Sequence, residues 1–237
     1  MITGAGRGIG RGIALDLALG GAAVVAVARS EGDLRSLADE ATALPGELST
    51  VVADVRDAAA LDAIFAEAQA DLLVTSAGIN RPGPVIDVPV EELTAILEVN
   101  ITGTLLACRA FGRAALAAGR GGAVVTISSQ MGAVGYPGRA AYCASKHAIN
   151  GLTKALAVEW APRQIRVNAV APTFIRTPFT AEFFTDPDFE AEVLKRIPLG
   201  FIGEVEDITG AVRYLLSDAA RLVTGHILTV DGGWTAW

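Results

Sequence analysis

The sequence has few residues of the kinds that build metal centres and disulfide frameworks. It contains only 2 cysteines and 2 histidines among 237 residues. Cys108 and Cys143 lie far apart in the sequence, which indicates reduced thiols. His147 and His226 are equally isolated, so no group of side chains has the spacing of metal ligands. We therefore expect a mechanism without a metal and a chain without a disulfide.

Basic residues and long apolar runs are also scarce. The chain has 19 Lys and Arg against 26 Asp and Glu, a net charge of -7, with no basic cluster that would neutralise nucleic-acid phosphates. The longest apolar run, Ala22 to Ala28, is far below the ~20 residues of a membrane-spanning helix. No charged and then apolar leader opens the sequence, so the cytoplasm is the default location. We expect neither a nucleic-acid nor a membrane partner.

What the chain does have is a regular alternation of apolar runs and amphipathic stretches. Hydrophobic residues make up 51% of it, enough for a sizeable core. The apolar runs lack polar alternation, which predicts strands covered on both faces, at 22–28, 48–52, 72–75, 123–127, 165–170 and 226–230. Helical spacing occupies the intervals, the longest stretches being 91–118, 140–160 and 205–217. The pattern predicts a doubly wound parallel α/β sheet with helices on both faces, in a single domain of residues 1–237.

One segment, residues 173–198, interrupts this rhythm. It carries Pro178, Pro187 and the pair Phe183-Phe184, and it follows the predicted strand 165–170. Ligands of open α/β sheets bind outside the carboxyl ends of strands. We therefore expect a substrate lid here, with a helical hairpin packed on the surface as the alternative.

The glycine-rich stretch Thr3–Gly10, TGAGRGIG, precedes an amphipathic helix. Glycines allow a tight turn and a close approach to a pyrophosphate, whose charge the helix N-terminus stabilises. Glycines also serve ordinary turns, but here a helix follows and a strand ends about 20 residues further on, as in dinucleotide-binding units.

The end of that strand bears on the choice of cofactor. An acidic residue there would bind the ribose 2′-hydroxyl of NAD, whereas this chain has Ala28 and Arg29, with Arg7 in the glycine loop. Two guanidinium groups favour the 2′-phosphate of NADP. NAD remains the alternative, with Arg29 a solvated loop residue and Arg7 a charge at the start of a helix.

Tyr142 and Lys146 stand four residues apart at the start of a predicted helix, so their side chains share one face. A nearby positive charge lowers the phenol pKa from its usual ~10 and suits tyrosine to acid–base work on an alcohol or ketone. Thirteen residues before Tyr142, Ser129 follows Ser128 at the end of the strand 123–127, where a hydroxyl can hydrogen-bond a substrate oxygen. Taken singly, such a pair is commonly structural and such a serine is ordinary in a turn.

In their order and spacing these motifs resemble the short-chain dehydrogenase/reductase family over essentially the whole chain. Further marks of the resemblance are Asp54-Val55, SAG at Ser76–Gly78, Asn100 within VNITG, ISS at Ile127–Ser129 and RVNAVAP at Arg166–Pro172. The resemblance implies a Rossmann-like sheet of order 3-2-1-4-5-6-7 and an NAD(P)-dependent oxidoreductase. It also implies a homotetramer or homodimer, to whose interface the helix with Tyr142 contributes.

The resemblance implies a role for each residue that matches a functional position of the family. Ser129 would orient the substrate carbonyl, Tyr142 would act as the acid–base, Lys146 would lower the tyrosine pKa and bind the nicotinamide ribose, and Asn100 would hold a water in the proton relay. The cofactor contacts implied by the resemblance and the glycine motif are Gly4, Arg7, Gly8, Ile9, Gly10, Arg29, Asp54, Val55, Ala77, Gly78, Tyr142, Lys146, Pro172, Ile175 and Thr177. The candidate substrate contacts are Ser129, Gln130 and Arg139.

The sequence departs from the family pattern at three places. Thr75-Ser76 replaces Asn-Asn before Ala-Gly, so a hydroxyl stands where a side-chain amide braces the central strand, and Pro172-Thr173 replaces Pro-Gly. The glycine motif begins only two residues after Met1, where family members have about a full strand. We expect a truncated first strand, or a true start further upstream.

The substrate class is less constrained. The segment around Ser76–Ile79 and the end Asp231–Trp237 look most like sugar-acid and polyol dehydrogenases, such as gluconate or galactitol dehydrogenases. The alternatives are a 3-oxoacyl-[acyl-carrier-protein] reductase, disfavoured because an acidic chain repels an acidic carrier, and a non-catalytic dinucleotide-binding scaffold. Arg139, just before the Tyr142 helix, could bind a substrate carboxylate through two parallel hydrogen bonds or form a surface salt bridge.

Overall fold

Seven parallel strands form one sheet, in the order β3-β2-β1-β4-β5-β6-β7, in the computed structural model, which describes residues 1–236. The strands are β1 Ile2–Thr3, β2 Val24–Ala28, β3 Leu48–Val52, β4 Leu72–Thr75, β5 Gly122–Ile127, β6 Ile165–Pro172 and β7 Ile227–Val230. The helices are α1 Gly8–Leu19, α2 Glu31–Ala41, α3 Ala58–Ala68, α4 Val90–Leu97, α5 Gly103–Ala117, α6 Ala140–Trp160, α7 Pro187–Lys195 and α8 Glu206–Leu216. The predicted fold class and strand order are confirmed.

Each face of the sheet has its own core, as the uninterrupted apolar strands predict. On one face α1, α2 and α8 contribute side chains such as Ile13, Leu34 and Ile208. On the other face α3, α5 and α6 contribute Phe65, Phe111 and others, and the two phenyl rings meet edge to face. Helices on both faces leave the carboxyl ends of the strands at one open edge, where ligands of such sheets bind.

The first strand is short, as expected. β1 has two residues, which pair in parallel with β2 on one side and β4 on the other. The Val74 N–H donates to the Met1 carbonyl oxygen at 2.9 Å, so main-chain pairing continues one residue beyond the strand. The sheet is therefore continuous through its centre.

Two polar residues inside β6 join the sheet to the last helix and strand. The Arg166 guanidinium donates to the carbonyl oxygens of Leu215 at 2.7 Å and Leu216 at 3.2 Å, which satisfies the C-terminal end of α8. The Asn168 amide donates to the Val223 carbonyl oxygen and accepts from the His226 N–H, which fixes the entry to β7. The Arg-Val-Asn motif therefore has a structural use in this fold.

The helix predicted over 91–118 contains a wide turn. A π-helical turn, Glu98–Thr102, separates α4 from α5 and includes Asn100. Val90–Ala117 is the one helical stretch in residues 1–236 long and apolar enough to cross a membrane by length and composition. It packs on β4, β5 and α3 and supplies much of one core, so we assign it as a core helix.

The segment 173–198 contains α7 and an aromatic cluster. The rings of Phe174, Phe184 and Phe189 pack together, and Phe174 also contacts Tyr136 and Trp234. Trp234 belongs to a tight turn in which the Asp231 carboxylate accepts from the N–H groups of Gly233 and Thr235. The segment thus packs against the C-terminal turn; Trp237, the last residue of the motif compared above, lies outside the described residues.

Candidate active site

A cleft of about 700 Å³ opens at the carboxyl ends of the strands, between the glycine loop and the segment 173–198. It brings together most of the residues that the sequence predicts for the site. The predicted residues that line it are Gly4, Arg7, Gly8, Ile9, Arg29, Asp54, Val55, Ala77, Gly78, Ser129, Gln130, Arg139, Tyr142, Lys146, Pro172, Ile175 and Thr177. Gly10 and Asn100 lie behind its wall.

The glycine loop has the shape that a pyrophosphate requires. Gly4 has φ +73°, and a Cβ there would lie 2.4 Å from the Ala77 nitrogen. A Cβ at Gly10 would lie 2.3 Å from the Gly4 carbonyl oxygen, so Gly10 allows the loop to fold onto the start of α1. These positions exclude side chains and leave the main chain facing the cleft at a helix N-terminus. The residues present therefore fit a dinucleotide.

The two consecutive serines after β5 have different partners. The Ser128 hydroxyl donates to the side-chain oxygen of Asn150, a residue of α6, at 2.6 Å. The Ser129 hydroxyl accepts from the Met131 N–H at 3.1 Å, at the start of a 3₁₀ turn, and lies in the cleft. Accepting this bond leaves the Ser129 hydroxyl proton free to donate to a ligand in the cleft. The Ser128 hydroxyl proton is already used in its bond to Asn150.

Tyr142 and Lys146 share one face of α6, as the spacing predicts. The Lys146 ammonium lies 5.5 Å from the centre of the Tyr142 ring and donates to the Ile127 carbonyl oxygen at 2.8 Å. Ser129 is close enough to hydrogen-bond the Tyr142 phenol, an interaction that lowers the phenol pKa. A hydroxyl, a phenol and an ammonium group thus converge at the end of β5.

Burial dominates the protonation of this group. Desolvation raises the pKa of Tyr142 to about 12, although the Ser129 hydrogen bond and the Arg139 charge lower it. Desolvation also lowers the pKa of Lys146 to about 8. The sequence-based expectation that Lys146 lowers the phenol pKa stays a prediction; burial gives the largest change in both groups.

Asn100 joins the wall of the cleft to α6. Its side-chain oxygen accepts from the Ile79 N–H at 2.8 Å, and its amide donates to the Ile79 carbonyl oxygen and to the Ser145 hydroxyl, both at 3.0 Å. The π-helical turn brings this side chain inward, and such turns frequently occur at functional sites. The sequence motif located Asn100, but the wide turn and the contact with Ser145 depend on tertiary packing.

Both arginines predicted at the cofactor end face carboxylates. Arg7 forms an ion pair with Asp33 at 2.9 Å, and Arg29 lies 3.9 Å from Asp54. The main partner of Asp54 is Arg56, whose hydrogen bonds lower the Asp54 pKa. Both arginine side chains are largely exposed, so these contacts leave them accessible to a ligand.

Sequence reasoning missed several residues of the cleft. Asp33, in the first turn of α2, lines it, although the strand end itself carries no acid. Asn80, Arg81 and Phe183 line the opposite part. Spacing alone gave no signal for Asp33, because its carboxylate enters the cleft through the packing of α2 against the glycine loop.

Comparisons with known proteins agree with this geometry. A family described as Enoyl-(Acyl carrier protein) reductase matches residues 4–235. The chain is 39% identical to an L-xylulose reductase of Bos taurus over 237 residues, covering 100% of this chain and 96% of the relative. It is 41% identical to a galactitol 2-dehydrogenase (L-tagatose-forming) of Cereibacter sphaeroides over 242 residues, covering 100% and 94%. The chain belongs to the short-chain dehydrogenase/reductase family.

A solved member of the family has the same architecture. A gluconate 5-dehydrogenase from Burkholderia cenocepacia J2315, in complex with NADP and tartrate, superposes with a TM-score of 0.95 at 34% identity, covering 100% of this chain and 94% of that chain. Within the short-chain dehydrogenase/reductase family, this chain is an oxidoreductase that uses a nicotinamide dinucleotide.

Proposed function

We propose that this enzyme interconverts a secondary alcohol and a ketone on a small sugar, sugar acid or polyol, with NADP as its cofactor. One observation carries the proposal. Ser129, Tyr142 and Lys146 converge at the end of β5, in the same cleft as the glycine loop. A dinucleotide on the glycine loop would reach this group along the strand ends.

The residues divide the chemistry among them. When bound, the nicotinamide would supply or accept the hydride at the reacting carbon. Tyr142 would donate its proton to the carbonyl oxygen in reduction and take it back in oxidation. Its phenol is protonated at neutral pH, so it can donate in reduction. Ser129 would hydrogen-bond the same oxygen and stabilise its developing charge.

Lys146 and Asn100 would support this group from behind. The Lys146 ammonium, held by the Ile127 carbonyl oxygen, would bind the nicotinamide ribose and stabilise negative charge on the phenol oxygen. Asn100 would keep the cleft in shape through its bonds to Ile79 and Ser145 and would hold a relay water through its main chain. Asp54 and Val55 would contact the adenine. The rest of the dinucleotide would contact Ala77, Gly78, Pro172, Ile175 and Thr177.

The preference for NADP rests on Arg7 and Arg29. Their guanidinium groups line the cleft just beyond Ala28, where no acidic residue stands to bind a ribose hydroxyl. Asp33 works against this preference because its carboxylate would repel a 2′-phosphate. Asp54 also lies beside Arg29, so the preference depends on the two guanidinium groups binding the phosphate directly through their planar N–H forks.

The segment 173–198 would close over the substrate. Thr177, Phe179, Thr180 and Phe183 line the cleft from this segment. The Thr180 hydroxyl donates to the Ile175 carbonyl oxygen at 2.5 Å and anchors the base of the segment. With such an anchored base, the tip carrying Phe183 could move while the hinge side stays fixed. The alternative is a permanently packed surface hairpin.

A homodimer or homotetramer is the proposed assembly. Leu105 and Leu116 of α5 and Val158 of α6 expose apolar side chains. Exposed apolar groups on neighbouring helices favour association with a second copy. Light scattering after size exclusion measures the assembly directly.

A single set of assays tests the proposed function. NADPH binding is titrated by fluorescence, and turnover is then measured on ketoses, keto sugar acids and an acetoacetyl thioester. The proposal expects binding and the highest kcat/KM on a sugar-derived ketone. Binding without turnover on any ketone would indicate a non-catalytic scaffold, and an acyl substrate preferred by tenfold or more would indicate a carrier reductase.

A further inference from the structure

Among residues 1–236, Arg139 is a buried cation with no anion beside it. Its side chain lines the cleft and the residue is only 7% exposed, yet among residues 1–236 it forms no ion pair. Its one polar contact is with the Gly138 carbonyl oxygen at 3.5 Å. Two other arginines of the same region, Arg176 and Arg196, do have partners, at 2.6 Å from Glu190 and 2.9 Å from Glu192.

The position of Arg139 relative to the reacting group is well defined. It lies three residues before Tyr142 and close enough to lower the phenol pKa. The centre of the Phe183 ring lies 4.7 Å from the guanidinium carbon. This cation–π contact stabilises the charge and uses none of the N–H groups, which can donate two parallel hydrogen bonds to a carboxylate.

Two further polar side chains of the cleft have atoms without a hydrogen-bond partner in the described part of the chain. The Asn80 amide oxygen and both polar atoms of the Gln130 side chain are buried without a hydrogen bond. Both residues line the same cleft as Ser129. Buried polar groups are normally hydrogen-bonded, so a cleft with this much unused capacity fits a ligand with several hydroxyl groups.

We propose that Arg139 binds the carboxylate of the substrate, so that the enzyme prefers an aldonate or its keto form to the matching neutral polyol or ketose. This inference rests on the proposed function and narrows its substrate class. Burial around Arg139 makes the ion pair stronger than one at the surface, because water screens it less.

The test compares substrate pairs that differ only in the charged end. The pairs are 5-keto-D-gluconate with L-sorbose, and 2-keto-D-gluconate with D-fructose, all assayed with NADPH. For the wild type we expect kcat/KM to favour the keto acid by about 10- to 100-fold, the range of one strong hydrogen-bonded ion pair. Arg139→Gln should lose this preference, lowering kcat/KM for the keto acid at least tenfold more than for the neutral ketose. Arg139→Lys should retain part of it, because an ammonium matches a carboxylate less well.

Control variants separate Arg139 from general charge effects. Arg163→Gln removes an exposed arginine at the opposite edge of the sheet and should leave the preference unchanged. Arg81 is the rival within the cleft, where it donates to the Asn80 carbonyl oxygen. If Arg81→Gln abolishes the acid preference and Arg139→Gln keeps it, the assignment to Arg139 is wrong.

Thermal stability gives a second measurement. A buried charge without a partner costs folding free energy, so Arg139→Met should melt at or above the wild-type temperature if Arg139 serves the substrate. A clear drop in Tm, together with equal losses on both members of a pair, would overturn the inference. A wild type that prefers the neutral ketose also overturns it but leaves the proposed function intact. If the enzyme turns over no sugar-derived ketone, the proposed function itself is wrong.

Discussion

The Lys146 ammonium donates to the Ile127 carbonyl oxygen at 2.8 Å, which fixes a positive charge at the end of β5 beside Tyr142. The contact holds the side chain in a buried position, and burial lowers the Lys146 pKa to about 8. The site therefore contains a cation that loses its charge within an experimentally accessible pH range.

This gives a prediction for the pH dependence of ketone reduction. Below pH 8 Lys146 is charged and Tyr142 is protonated, so the rate should be level; above pH 8 Lys146 loses its proton and the rate should fall. Single-turnover rates measured from pH 6 to 10 show this fall in rate. Lys154→Met, which removes an exposed lysine of the same helix, should still show the fall above pH 8. In Lys146→Arg, any residual activity should no longer fall above pH 8. A wild-type rate that is level to pH 10 contradicts the assignment.

The Arg7–Asp33 ion pair gives a prediction for the cofactor. The wild type should have a higher kcat/KM with NADPH than with NADH. Asp33→Asn should raise that ratio a further few-fold, about the worth of one exposed charge pair, because it frees Arg7 and removes the repulsion of the 2′-phosphate. Ala28→Asp should reverse the preference by accepting the ribose hydroxyl and repelling the phosphate. Steady-state kinetics with both cofactors measure this, and a wild type that prefers NADH would show that Arg7 and Arg29 are merely solvated.

Several parts of this site could be predicted from sequence and others could not. The strands were predictable because buried parallel strands are short apolar runs; β3 and β4 match their predicted bounds. Tyr142 and Lys146 could be placed together because helix geometry fixes neighbours four residues apart. Asp33 was not predictable, since its position in the cleft depends on how α2 packs against the glycine loop.

The threonine that replaces a family asparagine provides a prediction for stability. The Thr75 hydroxyl is buried at the end of β4 and has no hydrogen-bond partner within residues 1–236, so it does not take over the bracing role of an amide. Thr75→Val should raise the free energy of unfolding by about 1 kcal/mol, because it removes an unsatisfied group at nearly constant volume. Chemical denaturation measures the change. Thr153→Val is the matched control and should destabilise, since its hydroxyl shares a 2.9 Å hydrogen bond with Thr126; a loss of stability in both would refute the interpretation of Thr75.

Asn100 should affect stability as well as rate. Asn100→Ala leaves the Ile79 N–H and carbonyl groups without their partner, and at ~1–3 kcal/mol for each unpaired group the fold should lose about 2–6 kcal/mol. Denaturation and kcat are measured on the same variant. A reduced kcat with an unchanged unfolding free energy would mean that Asn100 acts only on the proton relay and does not brace the cleft.

The central claim is that Tyr142 carries the proton in an NADP-dependent oxidoreductase. The most direct measurement compares NADPH affinity and kcat in the wild type, Tyr142→Phe and the exposed control Tyr214→Phe on the best ketone substrate. Because Tyr142→Phe removes only the phenol oxygen, NADPH should bind within about threefold of wild type while kcat falls by about 10²–10⁴. Tyr214→Phe should match the wild type in both. Activity of Tyr142→Phe within a few-fold of wild type would contradict the account.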